Sequence, residues 1–335
     1  MLYTFYIASF FVSLVNNSII FAVMNGVVTK STGSWYTVYA ENEQVVECRL
    51  KGKFRIKGIK STNPVAVGDY VKFKLEEGKE TGVINEIVER KNYIIRKSVK
   101  LSKQTHIIAA NIDVAFLLIT IDNPPTFTGF IDRFLATAEA YSIPAVLLFN
   151  KLDSYNDEQL EKLAMLEDVY TEIGYKCIAI SATKNICIDE LTALMKGKTT
   201  MFSGHSGVGK STLINAIEPG LNLKTAEVSK THKQGMHTTT FAEMFHLSFG
   251  GFIIDTPGIK GFGVVDFDPE EITDFFPEFF KLKSACKFSN CKHINEPKCA
   301  IKEAVEAGEI AYSRYNSYLQ MMEGDEEHYR VDIYS

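Results

Sequence analysis

Two short stretches of this 335-residue chain carry side chains whose types and spacing could do chemistry. The first, Gly204-His205-Ser206-Gly207-Val208-Gly209-Lys210-Ser211-Thr212, fits the pattern G-x-x-x-x-G-K-[ST]. Its glycines let backbone N–H groups curl around phosphate oxygens, and a helix opening at its end adds a favourable dipole. Lys210 would reach the terminal phosphates, and Ser211 would hold Mg²⁺. The second, Cys286-x4-Cys291-x-His293-x5-Cys299, gathers three thiols and an imidazole within 14 residues. That donor set suits one tetrahedral Zn²⁺ and leaves no open position, so the expected role is structural. Cys48, Cys177 and Cys187 lie far off and read as buried small apolar residues. Six Cys in 335 residues are too few for a disulfide-stapled secreted scaffold.

A phosphate loop alone names no base. Asn150-Lys151-Leu152-Asp153 follows the apolar run Ala145–Phe149 and matches the guanine-reading motif of GTPases. There the Asp accepts hydrogen bonds from the guanine ring N–H and exocyclic amine, a donor pair adenine lacks. Lys151 would lay its stem along the base plane. Ser181-Ala182 ends the next apolar run and matches the partner segment whose backbone N–H meets the guanine carbonyl. Asp255-Thr256-Pro257-Gly258 matches the segment in which Asp255 would hold Mg²⁺ and the Gly258 N–H would touch the γ-phosphate. Between these lies Lys233–Thr240, where Thr239 is the threonine expected to complete the Mg²⁺ shell. Many GTPases carry a water-orienting Gln after Asp-x-x-Gly; here that position is Ile259. Slow intrinsic hydrolysis is therefore expected. His237 is the candidate within the chain for the missing group, with an ordinary loop histidine as the alternative, and a partner as another source.

The order of these segments is unusual. In Ras-like GTPases the phosphate loop precedes the guanine motif, whereas here Asn150–Asp153 precedes Gly204–Ser211 and Asp255–Gly258 comes last. The pattern predicts a circular permutation, which surface-lying termini permit without loss of the sheet. It also leads the γ-phosphate-sensing segments straight into the C-terminal domain, with Cys286 only 28 residues after Gly258.

The elements that must position these residues follow from periodicity. From Met24, short alternating runs (Asn25–Ser31, Trp35–Ala40, Gln44–Leu50, Tyr70–Leu75, Thr81–Val88) predict a five-stranded barrel, OB-like, with an SH3-like barrel as the rival. From Ile107, strand–helix alternation predicts a mostly parallel α/β sheet, including a helix over Thr128–Tyr141 with Phe130, Phe134 and Ala138 on one stripe. A helical tail is expected from about Lys302 to Met322. The fold class is thus multidomain: an all-β barrel (24–103), a permuted α/β phosphate-loop domain (104–275) and a zinc-binding helical domain (276–335).

Charge is uneven. Residues 24–103 hold 16 Lys+Arg against 9 Asp+Glu, a net of +7, while the whole chain carries −5. Lys51, Lys53, Arg55, Lys57 and Lys60 could supply phosphate contacts to a polyanion, or form an ordinary solvated strand face. Residues 1–29 have no charged side chain. The expectation is that residues 1–23 are a mis-called start or an extension. A membrane anchor is the alternative, since about 23 helical residues would reach about 35 Å.

A barrel, a permuted GTPase and a Cys/His segment in this order resemble the bacterial ribosome small subunit-dependent GTPase A family. The carriers are Lys30–Tyr36, Asn150–Asp153, Gly204–Thr212, His237–Thr240, Asp255–Gly258 and Cys286–Cys299. The resemblance implies a GTPase that binds the 30S subunit late in its assembly, is stimulated by it and is released on hydrolysis. It implies contacts of the barrel and zinc domain with 16S ribosomal RNA, and a catalytic His matching His237. A monomeric, cytoplasmic protein without stable membrane association is the expectation. A membrane-tethered GTPase, or an RNA-binding scaffold using GTP only as a conformational ligand, are the alternatives.

Overall fold

The computed structural model describes residues 23–51, 64–97, 105–222, 242–255 and 268–324, with the backbone of residues 14, 15, 18 and 19. Apolar–polar alternation builds β1 (Met24–Ser31), β2 (Tyr36–Ala40), β3 (Val45–Leu50), β4 (Tyr70–Leu75) and β5 (Gly82–Ile87). Their inward side chains, among them Val28, Tyr36, Val38, Phe73 and Ile84, form one core. β1 pairs with both β2 and β4, and β3 pairs in parallel with β5, so the order 1-2-3-5-4 closes on itself. This closed five-stranded barrel is OB-like. Within it Cys48 is fully buried, and burial pushes its thiol up to about 12. Lys51 is exposed; Lys53, Arg55, Lys57 and Lys60 lie outside the described residues.

β6 (Tyr93–Lys97) and β7 (Thr105–Ala110) pair with each other as an antiparallel connector. The division expected between residues 103 and 104 thus falls between two strands that pair with each other.

The α/β domain follows as β8 (Val114–Ile119), α1 (Thr128–Ala140), β9 (Ala145–Phe149), α2 (Asp157–Ile173), β10 (Lys176–Ala179), α3 (Ile188–Met195), β11 (Thr199–Ser203), α4 (Lys210–Ile217), β12 (Glu243–His246) and β13 (Phe252–Asp255). The sheet order is β10-β9-β8-β11-β13-β12, parallel except for β12. Strand period two splits β8 between the faces. Ala115, Leu117 and Ile119 pack with α1 and α2, whereas Val114, Phe116 and Leu118 pack with α3 and α4. The buried stripe of α1 is Ile131, Phe134, Leu135 and Ala138. Phe130, expected on that stripe, sits at its edge and turns to the phosphate loop. Cys187 is exposed, not buried as expected; it caps α3 with a left-handed backbone (φ +57°), just outside the helix core. β12 also meets β1 at one pair, Glu243 opposite Lys30, whose exposed ion pair spans 3.2 Å. One sheet thus runs from the α/β domain into the barrel.

The C-terminal region holds α5 (Pro277–Leu282), α6 (Ala300–Glu306) and α7 (Tyr312–Glu323). The continuous tail expected from Lys302 is broken because Gly308 takes a left-handed backbone (φ +78°), which ends a helix without strain. α7 packs on α1 through a buried charge network. Arg314 donates to Asp132 (2.8 Å) and Glu278 (2.7 Å) and lies 4.4 Å over the Phe276 ring. Tyr170 of α2 donates to the same Asp132 oxygen at 2.8 Å. Burial works against the Arg314 charge, but the Asp132 and Glu278 carboxylates outweigh it and hold the guanidinium protonated. Arg314→Met would strand these carboxylates, so a loss of about 3–5 kcal/mol is expected. Urea unfolding followed by tyrosine signal checks this, and an unchanged midpoint would refute it.

Among the described residues no helix is long and apolar enough to cross a membrane. Within the apolar leader, Leu14–Val15 pairs with Ser18–Ile19 as a short antiparallel ladder. The leader's other residues through 22 lie outside the described ones.

Candidate nucleotide site and metal cluster

The strand order reverses between β8 and β11: β9 and β10 extend one way, β13 and β12 the other. Loops leaving the carboxyl ends of strands on either side diverge there and leave a crevice, the usual ligand position in open α/β sheets. The phosphate loop leaves β11 at this place, and the guanine-type motif leaves β9.

Lys210 opens α4, with Gly209 at its N-cap. Gly209 is left-handed (φ +96°), and a Cβ there would lie 2.5 Å from the Asn150 amide nitrogen. Only glycine satisfies both conditions. Val208 is fully buried and anchors the loop in the core behind α4. Lys210 Nζ spans the loop and donates to the Gly204 carbonyl at 2.7 Å. Ser211 and Thr212 lie on the first turn of α4. The His205 ring lies 3.8 Å from that of Phe130. Burial, then the Lys210 charge, pushes the His205 pKa below its usual value, so the imidazole is neutral at pH 7.

Asn150 is buried, and its side chain ties the segments together. Its amide nitrogen donates to the Val208 carbonyl (2.8 Å), and its oxygen accepts from the Ala182 N–H (3.2 Å). The motif gave Asn150 no individual role; in the structure it is a clasp between the guanine-type turn and the phosphate loop. Lys151 takes a left-handed backbone (φ +69°), and its Nζ donates to the Asn123 carbonyl. Asp153 accepts from the hydroxyls of Ser181 and Thr183. The Ser181 bond foremost, opposed by slight burial, holds its carboxyl below the usual range. An ionised, surface-lying Asp153 can thus accept two hydrogen bonds from a base edge. Thr183 was missed in the sequence, although it stands only two residues after Ser181.

Ile254 of β13 pairs with Met201 of β11, which brings the backbone of Asp255 to the same end of the sheet as the phosphate loop. A hydroxyl and a carboxylate are the kind of oxygen donors that Mg²⁺ takes. His237, Thr239, Thr256, Gly258 and Ile259 lie outside the described residues.

The model of the RsgA GTPase matches residues 87–265, and that of the RsgA N-terminal domain matches residues 25–84. The chain belongs to the RsgA GTPase family. A relative named small ribosomal subunit biogenesis GTPase RsgA, from Flavobacterium johnsoniae, is 66% identical over 313 residues, covering 93% of this chain and 96% of its own. One of the same name from Christiangramia forsetii is 68% identical, covering 93% and 99%. Among solved structures, YjeQ from Thermotoga maritima superposes with a TM-score of 0.76 at 36% identity, over 90% of this chain and 98% of that one. YloQ, described as a circularly permuted GTPase, gives 0.71 at 31% identity over 92% and 96%. The chain is therefore a GTP-hydrolysing enzyme, with its sheet permuted as the motif order predicts.

In this RsgA GTPase the four C-terminal donors converge. The ligand atoms of Cys286, Cys291, His293 and Cys299 all lie within 4.8 Å of one another. His293 Nδ1 is 3.3 Å from Cys299 Sγ and 3.6 Å from Cys286 Sγ, and those two sulfurs are 3.9 Å apart. Zn–S bonds of about 2.3 Å and Zn–N bonds of about 2.0 Å imply edges of about 3.5–3.8 Å in a regular tetrahedron, so the set fits zinc. α7 braces it: Tyr315 donates to the His293 carbonyl at 2.7 Å and Tyr318 to the Lys292 carbonyl at 2.9 Å.

Proposed function

We propose that this chain is a GTP-hydrolysing ribosome biogenesis factor that binds the 30S subunit late in its maturation and leaves on hydrolysis. The observation that carries the nucleotide half is the Asn150 clasp, which holds a guanine-type turn and a phosphate loop at one crevice. Asp153 reads the base, Lys151 lies along it, and Lys210 with the loop N–H groups of residues 204–212 binds the phosphates. Ser211, Asp255 and Thr239 hold Mg²⁺, which when bound offsets the negative charge of the phosphates. His237 orients the attacking water, since Ile259 cannot. The names of the curated relatives support the ribosomal half. The barrel adds an exposed Trp35, in the Lys30–Tyr36 carrier segment, suited to stacking on a nucleobase, and the +7 charge of residues 24–103 favours 16S ribosomal RNA. One Zn²⁺ on the Cys286, Cys291, His293 and Cys299 set shapes the C-terminal domain, and the protein acts as a cytoplasmic monomer.

The test is GTP turnover by the full chain with and without purified 30S subunits. Turnover should be slow alone and rise at least tenfold with subunits, and His237→Ala should lower both rates. Rates unaffected by subunits would remove the ribosomal assignment; an unchanged His237→Ala rate would remove His237 from its role.

A further inference from the structure

The loop leaving β8 lies on the other side of the strand-order reversal from the phosphate loop, and no motif assigns it a role. It is tied to both halves of the nucleotide site. Thr126 closes it at the base: its N–H donates to the Thr120 carbonyl (2.9 Å), and its hydroxyl accepts from the Thr120 N–H (3.2 Å). Tyr155, two residues after Asp153, bridges this loop to the guanine-type turn. Its hydroxyl accepts from the Ile121 N–H at 2.9 Å and donates to the Asn150 carbonyl. Asp122 then shapes the tip. It accepts from the Asn123 N–H (2.8 Å), from the Asn123 side-chain amide (3.0 Å) and from Gln159 Nε2 (3.1 Å). Gln159 itself belongs to the capping box of α2, the helix that follows the guanine-type motif. The Asn123 carbonyl set by these bonds receives the Lys151 ammonium. On the other side the Pro124 ring abuts the phosphate loop, where a Cβ on Gly207 would lie 3.3 Å from Pro124 Cδ.

We infer that Asp122–Pro124, secured by Tyr155, is a strap that fixes the tip of Lys151 so that its stem lies over a bound guanine base, making Asp122 and Tyr155 positioning residues for nucleotide retention. The inference rests on the base-contacting role proposed above for Lys151. A lysine stem has four rotatable bonds, and stacking needs it straight; anchoring its ammonium at a fixed carbonyl removes that freedom before the nucleotide arrives. Burial holds the Lys151 ammonium below its usual pKa, and the nearby Asp122 carboxylate offsets part of that shift.

The Asp122 and Tyr155 side chains act on the base side and leave the Pro124 contact with the phosphate loop in place, which separates them from a general scaffold. In the full-length protein, dissociation of a fluorescent GDP analogue should be about tenfold faster in Tyr155→Phe and in Asp122→Ala, the scale of one lost hydrogen bond. Asp122→Asn, which keeps the Asn123 N–H bond but turns an amide toward the Asn123 and Gln159 amides, should fall between the wild-type and Asp122→Ala rates. Pyrophosphate affinity, read by calorimetry, should stay within about twofold of wild type in all three, because Lys210 and the phosphate loop are untouched. Unchanged GDP dissociation in Tyr155→Phe and Asp122→Ala would overturn the strap. A parallel fall in pyrophosphate affinity would overturn it too, showing general collapse of the site. Wild-type protein that binds pyrophosphate but not GDP would instead sink the underlying reading of Lys151 and Asp153.

Discussion

Asp153→Asn should invert the base preference of this enzyme. The wild-type carboxylate is all acceptor and can meet both the ring N–H and the exocyclic amine of guanine. An asparagine offers one acceptor and one amide donor, so the amide would face the guanine amine, donor against donor. Xanthine carries a carbonyl at that position and accepts from the new amide. Leaving paired groups unsatisfied in a specific site is worth several orders of magnitude, so GTP affinity should fall about 10³-fold while XTP becomes the better ligand. The Ser181 hydroxyl can still donate to the Asn oxygen and the Thr183 hydroxyl can accept from the new amide, so the turn should persist. Competition of GTP and XTP against a fluorescent nucleotide measures the effect. Retained GTP affinity without any gain for XTP would mean that Asp153 does not read the base.

Loss of metal should be the largest effect on the fold. The native protein is expected to contain one zinc per chain by elemental analysis. Stripping it, or replacing Cys299 by Ser, should unfold residues 276–324 while the barrel stays intact. Binding at such clusters is worth about 10–16 kcal/mol at pH 7, more than a small helical unit holds by itself. Cys299 sits inside the apolar cluster of Phe276, Phe279, Ile301 and Tyr318, so metal and core form together. Burial pushes the Cys291 thiol up to about 12 in the absence of a cation, so metal uptake must release protons. Affinity should therefore weaken as pH falls. Near-ultraviolet circular dichroism of Tyr315 and Tyr318, which touch the His293 and Lys292 carbonyls, reports the transition. A stripped protein with an unaltered tyrosine signal would contradict a folding role for the cluster.

Much of this architecture was legible in the sequence because it is written in local patterns. Strand period two marked all five barrel strands, and the helix Asp157–Ile173 lies between Asn156, its capping residue, and the left-handed Gly174. Spacing alone identified the phosphate loop and the metal donors. The features that escaped depend on distant partners. Arg314 looks like any helix-surface arginine until Asp132, 182 residues away, is brought beside it. Asn150 reaches Val208 across 58 residues, so its role as a clasp leaves no local trace. Phe130 packs at the edge of the α1 core as periodicity predicts, but its ring also lies against His205, 75 residues away. Gly308, by contrast, is a local signal for the break between α6 and α7.

Strand order also dictates a schedule of assembly. During synthesis β8, β9 and β10 emerge first and already make one contiguous parallel slab, but the phosphate loop leaves β11, and β13 appears only at Asp255. The 31 residues from Ser181 to Thr212, where the phosphate loop ends, take roughly 2–6 s to polymerise at ordinary elongation rates. Throughout that interval the nascent chain carries the guanine-type turn without the loop proposed to grip phosphates. The permuted order thus makes the phosphate loop the later half of the site, so the two segments that Asn150 clasps can meet only after Val208 and α4 have been synthesised.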